Sequence, residues 1–353
     1  MVWDHGAGGS NPSIPTTLQM ILCNKSVAQC AAFFKEVYML DLACVGIMVA
    51  DVITKPVDSI PEKGLLAKVD SIELFNGGNA MTAALNSAKL GARSAVIGKI
   101  GNDFFGKFLK EKLQMGNVVT DGVSVDDTVQ TSASVALSSS DGERTFLHCV
   151  GANGTFSIDD INRDIIDDAK IVFVTGTFLL KTFDGEQTAL FLKECKEKGK
   201  ITALDVCWDS SNRWNELLDS AMPYIDIFMP SIDEAVKLAG GEEDPDKIAD
   251  IFFNKGVKKV VIKLGSKGCY LRESKESAAI ILPCYKNVKV VDTTGAGDSF
   301  CSGFLTGVAK GFTFEECGRF ANAVGAHCVS AQGATTGIKP MEDILKFMEE
   351  NKQ

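Results

Sequence analysis

The sequence predicts an α/β fold, a three-layer arrangement in which helices flank both faces of a mostly parallel central sheet. Two observations support this prediction. Short runs of aliphatic and β-branched residues, each ended by Gly, Asp or Ser, recur along the chain, and amphipathic helical patterns separate them. Runs that are apolar throughout are typical of parallel strands buried on both sides. Ligands of such sheets bind beyond the carboxyl ends of the strands, so we expect the functional site at that edge.

The first predicted strand is LACVGIMVAD, which ends at Asp51, and the later ones are SAVIGKIG, IVFVTG, ITALDV, IDIFMPS and KKVVIKLG. The segments EQTALFLKECKEKG and DEAVKLAGG have the apolar spacing of helices that would cover the sheet. Two extended segments, approximately 52–76 and 128–150, contain turn signals in their middles. They predict antiparallel hairpins that form a small β lid outside the main sheet, with ordinary edge strands as the alternative.

Residues 1–40 differ from the rest of the chain, because they are rich in Gly, Ser and Pro and show no strand or helix periodicity. We expect them to be a disordered tail, or to precede a native start at or near Met39. The folded domain is then expected to span residues 41–353.

Composition and charge exclude several classes of protein. Hydrophobic residues make up 45% of the 353 residues, the net charge is −10, and the Lys/Arg cluster that a nucleic-acid partner requires is missing. No apolar run reaches the roughly 18 residues of a membrane-spanning helix, and the N-terminus lacks a secretory signal. The 11 cysteines show no metal-binding spacing, so we expect reduced thiols. We therefore expect a cytoplasmic protein with a small-molecule partner.

The stretch VVDTTGAGDSF carries the clearest chemical signal. A helical pattern follows it, with apolar residues from Phe300 to Val308 on one face and Gly311 placed at the end. The Gly-Ala-Gly tripeptide therefore lies where a strand turns into a helix, and the free N–H groups of such a turn bind phosphate or a developing oxyanion. Asp298, placed beside this anion site, is suited to act as a general base, the alternative being an acid that only complements the helix dipole.

The segment DTTGAGDSFCSGFL resembles the C-terminal signature of the ribokinase family, also called PfkB carbohydrate kinases. FNGGNAMTAALNSAKLGARSAVIGKIGNDFFG, some 200 residues upstream, resembles that family's N-terminal signature. The resemblance spans roughly Leu42 to Phe347. It implies a ribokinase-like (Rossmann-like) sandwich and an ATP-dependent phosphotransferase that acts on an alcohol group of a small sugar or sugar acid. A P-loop kinase is excluded, since the chain has no G-x4-G-K-[ST] stretch.

The resemblance also implies roles for individual residues. Asp298 would be the general base, and the amides of Gly295, Ala296 and Gly297 would form the anion hole. Asp51, at the end of the first predicted strand, would hold sugar hydroxyls. The other residues expected at the acceptor are Gly77, Gly78, Asn79 and Thr82. The residues expected at ATP are Lys263, Gly265, Gly268, Asn322 and Gly333.

Metal sites are implied in the same way. Magnesium is expected with ATP, and Glu234 would be associated with it, although Ser231 stands where the family pattern has Asn. A monovalent cation such as K⁺ would involve Asp292 and the backbone around Ala331 and Gly333. Thr82 also departs from the family's Asn; with Asn79 and Asn86 it forms one helix face, which either reads a different substrate or is merely solvated.

Two other functions stay open at this point. One is a nucleoside kinase of the same family, and the other is a non-catalytic sugar-binding relative. A homodimer formed through the lid is an assembly that the resemblance allows.

Overall fold

A nine-stranded sheet lies at the centre of the described chain, and a separate four-stranded sheet lies beside it. The computed structural model describes residues 39–140, 144–286 and 288–352. The strands of the described residues are β1 (Leu40–Gly46), β2 (Val49–Lys55), β3 (Ser71–Gly77), β4 (Ser94–Gly101), β5 (Val119–Asp126), β6 (Ala133–Ser138), β7 (Arg144–Cys149), β8 (Ala169–Thr177), β9 (Ile201–Val206), β10 (Ile227–Phe228), β11 (Lys259–Lys263), β12 (Cys269–Arg272) and β13 (Ile280–Leu282).

The large sheet has the strand order β13-β12-β11-β10-β9-β8-β1-β4-β5. All its pairs from β11 to β5 are parallel, and β12 runs antiparallel to both of its neighbours. The predicted mostly parallel sheet is therefore confirmed. In this sheet β4 and β5 lie on one side of β1, and β8 to β13 lie on the other. A crevice therefore opens at the carboxyl ends of the strands, where ligands of such sheets bind.

Helices cover both faces of this sheet. They are α1 (Asn79–Lys89), α2 (Phe104–Met115), α3 (Arg163–Asp168), α4 (Glu186–Glu197), α5 (Asn215–Leu218), α6 (Ile232–Leu238), α7 (Pro245–Asn254), α8 (Ala296–Ala309), α9 (Phe314–Cys328) and α10 (Met341–Glu350). Alternate residues of β1 point to the two opposite helical layers. Leu42 and Cys44 pack in a core with α1 and α8. Ala43 and Val45 pack in a second core with α4 and α7.

One predicted strand was wrong in its extent. LACVGIMVAD was expected to be a single strand ending at Asp51, but the chain leaves β1 at Gly46 and enters β2 at Val49. Gly46 has φ 152°, and a Cβ there would stand 1.9 Å from the carbonyl oxygen of Thr175, so this departure requires glycine. Asp51 therefore lies inside β2 rather than at the end of a central strand.

The four-stranded sheet has the order β3-β2-β6-β7. It consists of two antiparallel hairpins, β2–β3 and β6–β7, joined by parallel pairing of β2 with β6. The segments predicted to form a lid, 52–76 and 128–150, supply most of these strands. The sheet connects directly to the core, because β3 ends at Gly77 and α1 begins at Asn79.

The described residues from Leu40 onward form one compact unit. The predicted tail falls on residues 1–38, which lie outside the described residues, so that prediction stays a prediction. In the part of the chain that the structure describes, no helix combines the length and hydrophobicity needed to cross a bilayer.

Candidate active site

A cavity of about 700 Å³ lies at the carboxyl edge of the large sheet. Segments that are far apart in sequence form its walls: the ends of β9 and β11 and the first turns of α1, α6 and α8. It brings together most of the residues predicted for the site, namely Asn79, Glu234, Lys263, Gly265, Gly268, Gly295, Ala296, Gly297, Asp298 and Asn322.

The Gly-Ala-Gly turn forms the start of α8. Gly295 precedes the helix with φ 72°, and a Cβ there would lie 2.2 Å from the Cβ of Ala334, so only glycine fits this turn. Among the described residues, the amides of Gly295 and Gly297 have no hydrogen-bond partner, while the Ala296 amide donates to the carbonyl of Thr293 at 3.2 Å. Two free amides therefore face the cavity, and an anion would have to compete with Thr293 for the third.

Asp298 lies in the first turn of α8 and lines the cavity. Its Oδ1 accepts a hydrogen bond from Nδ2 of Asn79 at 2.7 Å. Burial raises the pKa of Asp298; the Lys263 ammonium and the Asn79 bond lower it, and Glu234 raises it. The net effect is a raised pKa, which makes this carboxylate a stronger base than a solvated aspartate.

Lys263, at the end of β11, forms a buried ion pair with Asp205 near the end of β9. Its Nζ donates to both carboxylate oxygens, at 2.7 and 2.8 Å. Burial lowers the pKa of Lys263, but Asp205, together with Cys301 and Glu234, outweighs burial, and the net pKa is raised. A Cβ at Gly297 would lie 3.5 Å from this Nζ, so the positive charge lies directly beside the anion-binding turn.

Sequence reasoning missed Asp205 and several other residues of the cavity. Asp205 is the next-to-last residue of the run ITALDV, and its place beside Lys263 depends on the order of three strands. The sequence feature that could have identified Asp205 is an acid near the end of a strand in a parallel sheet. The other lining residues that were not predicted include Cys207, Trp208, Tyr285 and Val288.

Glu234 lines the cavity, but one of its oxygens is engaged. The Ser231 amide donates to Glu234 Oε2 at 2.7 Å, and the Glu234 amide donates to Ser231 Oγ at 3.4 Å, a capping box at the start of α6. Asp292 accepts from the amides of Thr294 at 2.8 Å and Gly333 at 2.9 Å, so it ties two loops together. Within the described ranges, no group of three or more His, Cys, Asp or Glu residues is arranged to hold a metal ion.

The residues predicted for ATP do not all meet in this cavity. Gly265 and Gly268 flank the short turn after β11, and Gly268 needs its φ of 98° because a Cβ would lie 1.9 Å from the Leu282 carbonyl. Asn322 lines the cavity and donates to the carbonyls of Leu282 and Pro283, each at 3.2 Å. Gly333 lines a different, smaller depression with Phe75 instead.

The residues predicted for the acceptor lie next to the cavity rather than in its wall, Asn79 excepted. Asp51 is held against Gly77, where a Cβ would stand 1.9 Å from its Oδ2. Burial raises the pKa of Asp51 to about 6, against a lowering hydrogen bond from Ser134. Gly78, with φ 87°, turns the chain from β3 into α1.

The predicted helix face of Asn79, Thr82 and Asn86 is not a solvated surface. Thr82 is 1% exposed and Asn86 is completely buried. Asn86 Nδ2 donates to Ser299 Oγ at 2.9 Å and to the Ala334 carbonyl at 3.2 Å, so it braces α8 and the segment that packs on Gly295. The solvated alternative was therefore wrong for these two residues.

Comparison with known proteins gives the family. A model of the pfkB family of carbohydrate kinases matches residues 39–341. The chain is 31% identical over 316 residues to ribokinase from Arabidopsis thaliana, covering 87% of this chain and 80% of the relative. It is 28% identical over 312 residues to a protein named "Probable fructokinase-7" from the same plant, covering 83% of this chain and 90% of that protein.

A solved structure agrees with these matches. The structure of Arabidopsis thaliana ribokinase complexed with ribose and ATP superposes with a TM-score of 0.77 at 28% identity, over 88% of this chain and 99% of that one. The predicted ribokinase-like fold is confirmed, and the chain belongs to the pfkB family of carbohydrate kinases.

Proposed function

We propose that this kinase transfers the γ-phosphoryl group of ATP to a hydroxyl group of a small sugar or sugar acid, with Asp298 as the general base. The observation that carries the proposal is the first turn of α8. A partly buried carboxylate with a raised pKa lies there beside two unpaired amides and a lysine ammonium, all lining one cavity. A proton acceptor next to an anion site is what phosphoryl transfer to a hydroxyl requires.

The reaction divides between these groups. The Asp298 carboxylate takes the proton of the acceptor hydroxyl as the hydroxyl oxygen attacks the γ-phosphorus. The bond between that phosphorus and the β–γ bridging oxygen breaks, and ADP leaves with the electron pair. The free amides of Gly295 and Gly297 donate to the transferred group, which spreads its charge over three oxygens, and the Ala296 amide joins them by exchanging its bond to Thr293 for one to the phosphoryl group. Asp298 then releases its proton to solvent.

The charge distribution of the cavity supports binding of a triphosphate beside the first turn of α8. Lys263 is the one Lys or Arg among the described lining residues, and its ammonium is buried beside Gly297. The cavity wall also contains the largely apolar side chains of Tyr285, Val288 and Val290, which suit a flat adenine. The ribokinase relative was solved as a complex with ribose and ATP, which supports ATP as the nucleotide.

Magnesium fits this arrangement if the nucleotide supplies most of its ligands. Mg²⁺ usually keeps several waters and uses one or two carboxylates together with substrate phosphates. Glu234 is the protein carboxylate that we propose near it, since its side chain lines the cavity. The bound metal would neutralise phosphate charge. The K⁺ site at Asp292 and the homodimer through the lid remain predictions.

The acceptor is proposed to lie between Asp51 and Asp298. Asp51 packs on Gly77, and Asn79, two residues further on, reaches Asp298, so one short segment leads from the small sheet to the base. A buried carboxylate accepts from vicinal hydroxyls, which sugars offer. The names of the relatives, ribokinase and fructokinase, support a sugar in this place.

The experiment that tests the proposal is an assay of ADP release with a panel of sugars, sugar acids and nucleosides. We expect ATP-dependent phosphorylation of one or a few sugars or sugar acids, and loss of that activity in Asp298→Asn. Selective phosphorylation of a nucleoside would replace the proposed acceptor class. A purified protein that binds sugars but releases no ADP with any acceptor would point to the non-catalytic alternative.

A further inference from the structure

Asn79 contacts the proposed base rather than only the acceptor region. It is the first residue of α1, placed directly after the turn at Gly78. Its Nδ2 donates to Asp298 Oδ1 at 2.7 Å, and its Oδ1 lies 3.4 Å from Sγ of Cys207, which donates to it. Three residues from three separate segments of the chain therefore form one hydrogen-bonded row: Cys207, Asn79, Asp298.

Hydrogen-bond donation along this row is favourable in one direction, from Cys207 through Asn79 to Asp298. An amide side chain presents donors at nitrogen and acceptors at oxygen, and a carboxylate can only accept. If the amide were reversed, its oxygen would face the Asp298 carboxylate, and its NH₂ group would face the thiol. Burial raises the pKa of Cys207, so the thiol keeps its proton and can donate to Asn79 Oδ1. The Asp298 carboxylate sets the orientation in which Asn79 donates, and the Cys207 thiol supports it by donating to the amide oxygen on the other side.

We propose that Asn79, supported in its orientation by the Cys207 thiol, is a positioning residue that holds one oxygen of Asp298 and leaves the other for the proton of the acceptor hydroxyl. The inference rests on the proposed role of Asp298 and adds to it. Asn79 was expected to bind the acceptor, and its amide nitrogen and oxygen each already contact a protein group, Asp298 and Cys207. A base that is fixed at one oxygen is pre-oriented for the transfer, which an unrestrained carboxylate is not.

The hydrogen bond also tunes the basicity of Asp298. Burial raises its pKa, and the Asn79 bond, like the Lys263 ammonium, acts in the opposite direction. Removing Asn79 should raise that pKa further, so the acidic limb of the rate profile should move to higher pH. The titratable groups that face Asp298 are Lys263 on β11, Asp205 on β9, Glu234 on α6, and the thiols of Cys207, Cys301 and Cys328.

The first test is Asn79→Leu, which keeps the approximate volume and removes the donor. Turnover is measured against pH with the acceptor that the panel identifies. We expect a loss of about 10- to 100-fold at neutral pH, the usual effect of removing a hydrogen bond to a charged group. The acidic limb should move upward by about one unit. A raised acceptor KM with an unmoved acidic limb would overturn the proposal and leave Asn79 as an acceptor contact.

A second pair of variants keeps the proposal falsifiable if Asn79→Leu does not fold. Cys207→Ala removes the donor that supports the orientation of the amide, and Cys207→Ser restores one. We expect Cys207→Ala to move the acidic limb in the same direction by a smaller amount and Cys207→Ser to return it towards the parent value. Equal profiles for the two variants would contradict the supporting role of the thiol.

Asn86→Leu is the matched control. It removes another buried asparagine of α1, one that contacts Ser299 and Ala334 instead of Asp298. It should lower the melting temperature without moving the acidic limb, and a shift as large as that of Asn79→Leu would overturn the proposal. Asp298→Asn, measured in parallel, separates the two proposals. If that variant retains turnover, the proposed function fails; if it is inactive and the Asn79→Leu profile is unshifted, only the inference about Asn79 fails.

Discussion

The proposed phosphate side of the site and the proposed acceptor side are built from different parts of the fold. On the phosphate side, strand ends of the large sheet and the start of α8 supply groups that are bonded to one another, such as Lys263 with Asp205. On the acceptor side, the small sheet supplies Asp51, whose neighbours are Gly77 and the Ser134 hydroxyl. The phosphate side is therefore a network of opposite charges, whereas the acceptor side has the largely buried carboxylate of Asp51.

This difference predicts how the two sides respond to mutation. In the proposed mechanism, groups of the phosphate network act on charge that develops during transfer, so removing one should lower kcat. The proposed acceptor side would contact hydroxyls that are present before and after transfer, so changes there should act mainly on the acceptor KM. Each of the following variants tests this division between effects on kcat and effects on the acceptor KM.

The largest effect is expected from Asp298→Asn. The amide keeps the shape of the side chain but cannot take the hydroxyl proton, so turnover should fall on the order of 10²–10⁴-fold. The affinity for ATP should hold or improve slightly, because a negative charge near the phosphates is removed. Steady-state kinetics and nucleotide titration measure the two quantities. An acid that only complements the helix dipole would cost about 0.3–1 kcal/mol of stability and leave turnover nearly intact, and that result would remove Asp298 from the mechanism.

The next largest effect is expected at the Lys263–Asp205 pair. Lys263→Met should lower kcat by about 10²–10³-fold, the usual effect of losing one donor to a developing charge. It should also cost about 3–5 kcal/mol of stability, because Asp205 is left buried and unpaired. Lys263→Met combined with Asp205→Leu should recover much of the stability but none of the turnover. Thermal unfolding and kcat of the three proteins measure this.

A pair away from the cavity provides the control. Lys196 and Asp226 form an ion pair that does not line the cavity. Lys196→Met should therefore reduce stability without a comparable loss of kcat. If Lys263→Met combined with Asp205→Leu regained turnover along with stability, the Lys263–Asp205 pair would have only a structural role.

The phosphate side was largely predictable from sequence, and the reasons are local. The turn at Gly295 to Asp298 is contiguous, and the helical pattern after it identifies its position at a helix start. The strand ITALDV was predicted with the limits that the structure gives it, yet Asp205 within it was not expected to matter. Its partner Lys263 lies on β11, and β10 separates the two strands in the sheet. Only the strand order brings the two charges together.

The acceptor side was less predictable. The apolar run from Leu42 to Asp51 crosses from one sheet to another without a change in hydrophobicity, because β1 and the start of β2 are both buried. Helix periodicity grouped Asn86 with Asn79, but it could not reveal that α8 covers Asn86. Periodicity tells which residues share a face, and tertiary packing decides what that face contacts.

Asp51→Asn should raise the acceptor KM by about 10- to 100-fold, the worth of hydrogen bonds to a charged group, and leave the ATP KM nearly unchanged. The pKa of Asp51 is raised to about 6, so its carboxylate is lost as the pH falls through that value. The acceptor KM of the parent protein should therefore rise below about pH 6, and that of Asp51→Asn should not. Because folding favours the protonated form of this group, the neutral amide should not reduce stability at pH 7. Equal changes in the two KM values would mean that Asp51 does not belong to the acceptor side.

The smallest effect is expected from Thr82→Val. This substitution keeps the shape of a side chain that is 1% exposed, so packing in α1 should be preserved, and only the hydroxyl is lost. If that hydroxyl contacts the acceptor, as the family resemblance implies, the KM should rise by about 2- to 10-fold, the range for one neutral hydrogen bond. The rise should be uneven across the sugar panel, because only acceptors with a hydroxyl at that position lose a partner. An unchanged KM for every sugar would remove Thr82 from the acceptor site and leave Asp51 as the main determinant on that side.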